Sequence, residues 1–108
     1  MRIVGVSLGA NLAMTFAARR QDVGSVVLLS PGIVYRGVSI LKASERYGKR
    51  RVYICCGRND EYSHVSSGLL VRHLRGAEIV LRVFDGAEHG LQIVEAYPEV
   101  ISEMLDGL

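Results

Sequence analysis

Three side chains of complementary chemistry stand just past apolar runs: the hydroxyl of Ser7, the carboxylate of Asp60 and the imidazole of His89. Ser7 is the centre of Gly5-Val6-Ser7-Leu8-Gly9, a G-x-S-x-G pentapeptide. This motif demands a strand before it and a helix after it, so that a sharp turn lifts the hydroxyl clear of the sheet. Glycines two residues to either side let the two backbones approach, and the helix amino end directs N–H groups, that of Leu8 included, toward developing negative charge. A phosphate-binding loop is excluded because the Lys is missing, and G-x-G-x-x-G does not fit. Taken alone, the pentapeptide also suits a glycine-softened turn with an idle serine. Asp60 in Cys56-Gly57-Arg58-Asn59-Asp60-Glu61 and His89 in Gly86-Ala87-Glu88-His89-Gly90 would each, in isolation, read as loop residues.

The elements around them give these residues their context. Four stretches rich in β-branched residues read as strands: Arg2 to Val6, Ser25 to Ser30, Arg51 to Cys56 and Glu78 to Phe84. The middle two are nearly continuous apolar runs, which suits strands covered on both faces. Segments of helical character lie between them, at Leu8 to Arg19, about Gly37 to Tyr47 and about Ser63 to Leu74. Alternation of strand and helix predicts a four-stranded parallel sheet flanked by helices, an α/β domain with right-handed crossovers. Near the end, Ile93, Tyr97, Val100, Ile101, Met104 and Leu105 approach a helical stripe. Pro98 cannot sit inside a helix without losing a bond and clashing, so a short helix is expected to start there. Ser7, Asp60 and His89 then each fall at the carboxyl end of a strand, where an open parallel sheet gathers its ligands.

Their order, nucleophile then acid then base, is the one prescribed for the α/β-hydrolases. The chain resembles that superfamily, and within it the small carboxylesterase, thioesterase and dienelactone-hydrolase-like members, through RIVGVSLGA, VYICCGRND and RVFDGAEHG. The resemblance runs the length of the chain, with 53 residues from Ser7 to Asp60 and 29 from Asp60 to His89, leaving no room for an inserted lid. It implies that Ser7 is the nucleophile, His89 the base that takes and later returns its proton, and Asp60 the carboxylate that orients His89. Leu8 would supply one oxyanion-hole N–H. In some hydrolases the acid follows the preceding strand, but Ser30 and Pro31 stand there, which favours Asp60; Asp85 and Glu61 are weaker substitutes. Ser30, Pro31 and Tyr35 are candidates to line a substrate pocket, or else form an ordinary loop.

In the family, the elbow follows the fifth strand of the sheet. Four strands and two helices that precede it in the family have no counterpart before Met1, nor has the loop that usually donates the second oxyanion N–H. Losing one such donor costs on the order of 2.7 to 4 kcal/mol in the transition state. Arg2 to Val6 then becomes an apolar sheet edge, and such edges recruit strands from other chains. The expectation is a homodimer in which Arg2 to Val6 pairs antiparallel with its copy, making one eight-stranded sheet.

Composition limits the other readings. The chain has 108 residues, enough for one small core and one domain spanning 1–108. With 49% hydrophobic and 22% charged residues it is neither disordered nor fibrous. A net charge of +2 is too slight a field for nucleic acid. Arg19-Arg20 and Lys49 to Arg51 read as solvated clusters. The apolar runs are short of a membrane span and no signal peptide is evident, so a soluble, cytoplasmic protein is expected. Cys55 and Cys56 are adjacent, so in a strand they point to opposite faces and read as buried, reduced thiols. His64 and His73 read as surface histidines. Asp85, Glu88 and His89 match no recognised metal spacing, so no metal is expected.

Two functions remain. One is a serine hydrolase that cleaves small acyl esters or thioesters without a cofactor. The other is a non-catalytic fragment or interaction module that needs a partner chain to complete its sheet.

Overall fold

The computed structural model describes residues 1–106, with side chains described through Met104. Its elements are β1 (Arg2–Val6), α1 (Leu8–Ala18), β2 (Ser25–Leu29), β3 (Val34–Tyr35), β4 (Val38–Ser39), α2 (Leu41–Tyr47), β5 (Arg51–Gly57), α3 (Glu61–His73), β6 (Glu78–Phe84), α4 (Leu91–Ala96) and α5 (Glu99–Asp106). Four strands form one sheet in the order β1-β2-β5-β6, every neighbouring pair parallel. All carboxyl ends therefore lie along one edge. Every residue of β2 is buried, as is β5 from Val52 to Gly57, the burial expected of central strands covered on both faces.

Two apolar layers sandwich the sheet. On one face Ala10, Ala13, Met14 and Ala17 of α1 pack with Val26, Leu28, Val52, Ile54 and Leu70. Small alanines let α1 lie close to the strands. On the other face Ile93, Val100 and Met104 pack with Val27, Leu29, Tyr53, Cys55 and Phe84. Glu103 of α5 ties that layer to the sheet, accepting a hydrogen bond of 2.7 Å from the Tyr53 hydroxyl and pairing with Arg82. No helix among the described residues is long and apolar enough to cross a membrane.

One local expectation is corrected, and another, the helix starting at Pro98, holds with an addition. The segment read as helical from Gly37 becomes helix only at Leu41, because Val34–Tyr35 and Val38–Ser39 first form an antiparallel hairpin. Its turn residues, Arg36 and Gly37, both have positive φ, at 49° and 81°. That pattern twists a two-residue loop to match the hairpin strands. Before Pro98 the chain forms a separate short helix, α4, which ends at Ala96. A second helix starts after Pro98, and the stripe is divided between them. Ile93, Val100 and Met104 are buried while Ile101 is exposed. The Leu105 side chain lies outside the described residues.

Cys55 and Cys56 are free and buried. Loss of hydration pushes the Cys55 thiol up to about 12 and raises that of Cys56 as well. Neither thiol should react with a disulfide reagent such as DTNB until the protein unfolds. An unfolded thiol ionises near 8.5, so the unfolded chain loses these protons first as pH rises. Stability should therefore fall between about pH 9 and 12, readable as a declining denaturant midpoint that Cys55→Ala flattens.

Candidate active site

Only Ser7 separates β1 from α1, and this one residue must reverse the chain from strand to helix. It does so at φ 56° and ψ −119°, in a region that serine rarely adopts. Ser7 is also the N-cap of α1, where a serine normally turns its oxygen onto the first helical N–H groups. No such cap bond forms. The Ser7 Oγ instead meets His89 Nε2 at 2.8 Å.

Asp60 repeats this behaviour. It is the N-cap of α3, three residues beyond β5, and its side chain makes no cap bond either. Its Oδ2 lies 2.5 Å from His89 Nδ1. A carboxylate only accepts, so Nδ1 carries the proton in this pair, and the neutral ring then leaves Nε2 as the acceptor for the Ser7 hydroxyl. His89 comes from the loop after β6. Three parallel strands thus bring a hydroxyl, an imidazole and a carboxylate into one hydrogen-bonded row.

The weaker acids lie elsewhere. Asp85 is exposed and paired with Arg58 at 3.0 Å, and Glu61 sits exposed in the first turn of α3. His73 turns Nδ1 to its own helix, 2.9 Å from the Leu69 carbonyl. Leu8 is the first residue of α1, where backbone N–H groups have no partner within the helix.

Solved esterases share this arrangement of elements. An esterase of Pyrococcus furiosus superposes with a TM-score of 0.81 at 15% identity, over 98% of this chain and 51% of that one. A further crystal form of that esterase gives 0.78 at 17% identity, over 96% and 50%. The fold is that of the α/β-hydrolases. A carboxylesterase from Mesorhizobium loti matches with a TM-score of 0.66 at 25% identity, over 99% of this chain and 49% of its own. The chain spans about half the length of these structures. No protein-family model matches the sequence, and no curated protein does.

Of the three residues expected to line a pocket in this α/β-hydrolase fold, Ser30 and Pro31 are buried and offer no surface to a substrate. Tyr35 does, standing edge-on to the His89 ring with centroids 6.2 Å apart. The loop that presents it is pinned by side chains the sequence reading did not single out. Asn11, fully buried in α1, donates to the Val38 carbonyl at 2.8 Å and accepts from Gly32 N–H at 3.2 Å. Ser66 accepts from Ile33 N–H at 3.0 Å, and the Tyr62 hydroxyl bonds both backbone groups of Val34. An amide buried in an otherwise apolar helix was the one available signal. A concavity of about 490 Å³ lined by Met1, Arg2, Lys49, Arg50 and Arg51 lies at the opposite, amino edge of the strands.

The two glycines of the pentapeptide have different tasks. A Cβ on Gly5 would stand 2.3 Å from the Gly9 carbonyl oxygen, whereas a Cβ on Gly9 meets nothing within 4 Å. Only Gly5 is required by the close approach of β1 and α1. Gly5→Ala should cost about 1–3 kcal/mol of stability, as overpacking against backbone does. Gly9→Ala should be neutral or stabilising by up to about 1 kcal/mol. Thermal unfolding of the two variants should therefore bracket the wild type.

Proposed function

We propose that the protein is a serine hydrolase acting on small acyl esters or thioesters. The observation that carries this reading is the withdrawal of two helix-capping side chains, Ser7 and Asp60, from their own helices onto the two nitrogens of one imidazole. A cap of this kind is worth about 1 kcal/mol. A purely structural turn has no reason to give up two of them and hold Ser7 at positive φ as well. The esterase neighbours agree in reaction class.

In this mechanism Ser7 Oγ bonds to the acyl carbon as its proton passes to His89 Nε2, and the carbonyl electron pair moves onto oxygen beside the Leu8 N–H. Collapse of that intermediate breaks the bond to the alkoxide or thiolate, which takes the proton from His89. Water then repeats the sequence: His89 accepts its proton, the hydroxyl adds to the acyl carbon, and Ser7 leaves reprotonated. Asp60 stabilises the imidazolium formed in each half.

A fluorophosphonate probe should label Ser7 in the wild type and not in Ser7→Ala. His89→Ala and Asp60→Asn should lower kcat/KM on p-nitrophenyl acetate by about 10³- to 10⁴-fold. A folded wild type that neither labels nor hydrolyses would refute the reading.

We also propose that two copies pair through β1. Among the described residues its outer edge has no neighbouring strand, and Val4 on it is 57% exposed. Leu12 and Phe16, one turn apart on α1 above it, are 50% and 42% exposed. The opposite edge, β6, also exposes Val80 and Leu81 but carries Glu78 and Arg82, each in an ion pair, charges of the kind that discourage edge pairing. Antiparallel self-pairing centred on Val4 sets Arg2 opposite Val6 and Ile3 opposite Gly5, so like charges do not meet. Sedimentation at micromolar concentration should give a dimer that Val4→Lys converts to monomer. A wild type that is monomeric and folded at that concentration would dismiss it.

A further inference from the structure

The imidazole stands over a strand that supplies none of its partners. Ser7 follows β1 and Asp60 follows β5, and β2 lies between them in the sheet. His89 arrives from β6, three strand spacings from β1, or about 14 Å at the usual interval. Something must hold the histidine loop over the intervening strand tip. The residue at that tip is Ser30.

Given the hydrolase reading above, we infer that Ser30 is a positioning residue that moors the histidine loop. Ser30 is fully buried, and its N–H donates to the Cys55 carbonyl at 2.8 Å, which fixes it to β5. Its Oγ accepts the N–H of Gly90, the residue after His89, at 2.7 Å. Ser30 has φ 54° and Gly90 φ 64°, both in the left-handed region. Glycine would sit at position 30 without strain; the serine adds a Cβ, which brings the strain, and the hydroxyl that meets Gly90. A second tie runs from His89 N–H to Oε1 of Gln92, in the first turn of α4, at 3.0 Å. Asn59 N–H, just past β5, holds the start of the loop through the Gly86 carbonyl at 2.8 Å; among the described residues the Ser30 hydrogen bond is the one that ties the loop to the tip of β2, where the imidazole must reach both neighbours at once.

Three measurements on the wild type, Ser30→Gly and Ser30→Ala test this. In the wild type, amide exchange at Gly90 should be as slow as that of strand amides; fast exchange would overturn the mooring whatever the variants do. In both variants Gly90 exchange should accelerate, and the low-field NMR signal of the His89 Nδ1 proton should broaden or vanish. Fluorophosphonate labelling of Ser7 should slow about tenfold, with kcat for p-nitrophenyl acetate falling similarly and KM moving less than twofold. Ser30→Gly relieves the backbone strain and Ser30→Ala keeps it, so a shared loss assigns the effect to the hydroxyl. Folded variants that match the wild type in Gly90 exchange and in the Nδ1 signal would overturn the inference. If the wild type is never labelled, the hydrolase reading fails, and Gly90 exchange together with the Nδ1 signal still decides the role of Ser30.

Discussion

The row of contacts from Ser7 through His89 to Asp60 can exist only because the sheet is parallel. Each strand points its carboxyl end to the same edge, so residues far apart in sequence are delivered side by side at a spacing fixed by the backbone ladder. With β2 between them, the ends of β1 and β5 stand about 10 Å apart. A planar ring with a nitrogen at either end fills much of that interval, and the donor and acceptor distances of 2.8 and 2.5 Å show that it does so on both sides. Any slip in the β1–β2 or β2–β5 register would break the row. The full burial of β2 makes such a slip costly, since it would carry an apolar set to the wrong face.

Local strain is concentrated where this edge is built. Two serines, Ser7 and Ser30, have positive φ, and both use their hydroxyls on the histidine loop, one at the ring and one at the next backbone N–H. Left-handed backbone costs a residue with a side chain roughly 1–2 kcal/mol. The surrounding core offsets this: α1 lies tightly on β1 and β2 through alanines, and Gly5 removes the side chain that would hold them apart. Gly57 serves the loop in a similar way, since a Cβ there would stand 2.7 Å from the Gly86 carbonyl. The chain thus places glycine where backbones must touch and keeps serine where a hydroxyl is used.

Much of this was legible because its causes are local. Runs such as Val26 to Leu29 and Val52 to Cys56 declare buried parallel strands by having no polar face, and the pentapeptide around Ser7 marks a strand-to-helix reversal by its glycine spacing. Asp60 and His89 followed from their places after such runs. The hairpin was hidden because Arg36, not asparagine or glycine, takes the left-handed position in its turn. The pins on the loop from Ser30 to Ile40 were hidden for a different reason. Asn11, Tyr62 and Ser66 each put one polar group on a helix, and whether such a group faces water or a neighbouring loop is decided by tertiary packing alone. Ser30 is the sharpest instance: its place after a strand suggested contact with a substrate, and burial directed it instead to the backbone of the catalytic loop proposed here.

In the proposed dimer, chemistry and assembly would be coupled through β1. Ser7 is the residue immediately after the edge strand, so whatever pairs with β1 comes to lie against the proposed nucleophile. In the self-paired arrangement, Arg2 of the second copy stands opposite Val6, one residue from Ser7 and two from the Leu8 N–H. The backbone of that copy would run beside the proposed oxyanion position, to which α1 contributes the Leu8 N–H. One donor fewer is worth a factor of about 10² to 10³ in rate, so association at this edge would govern more than stability.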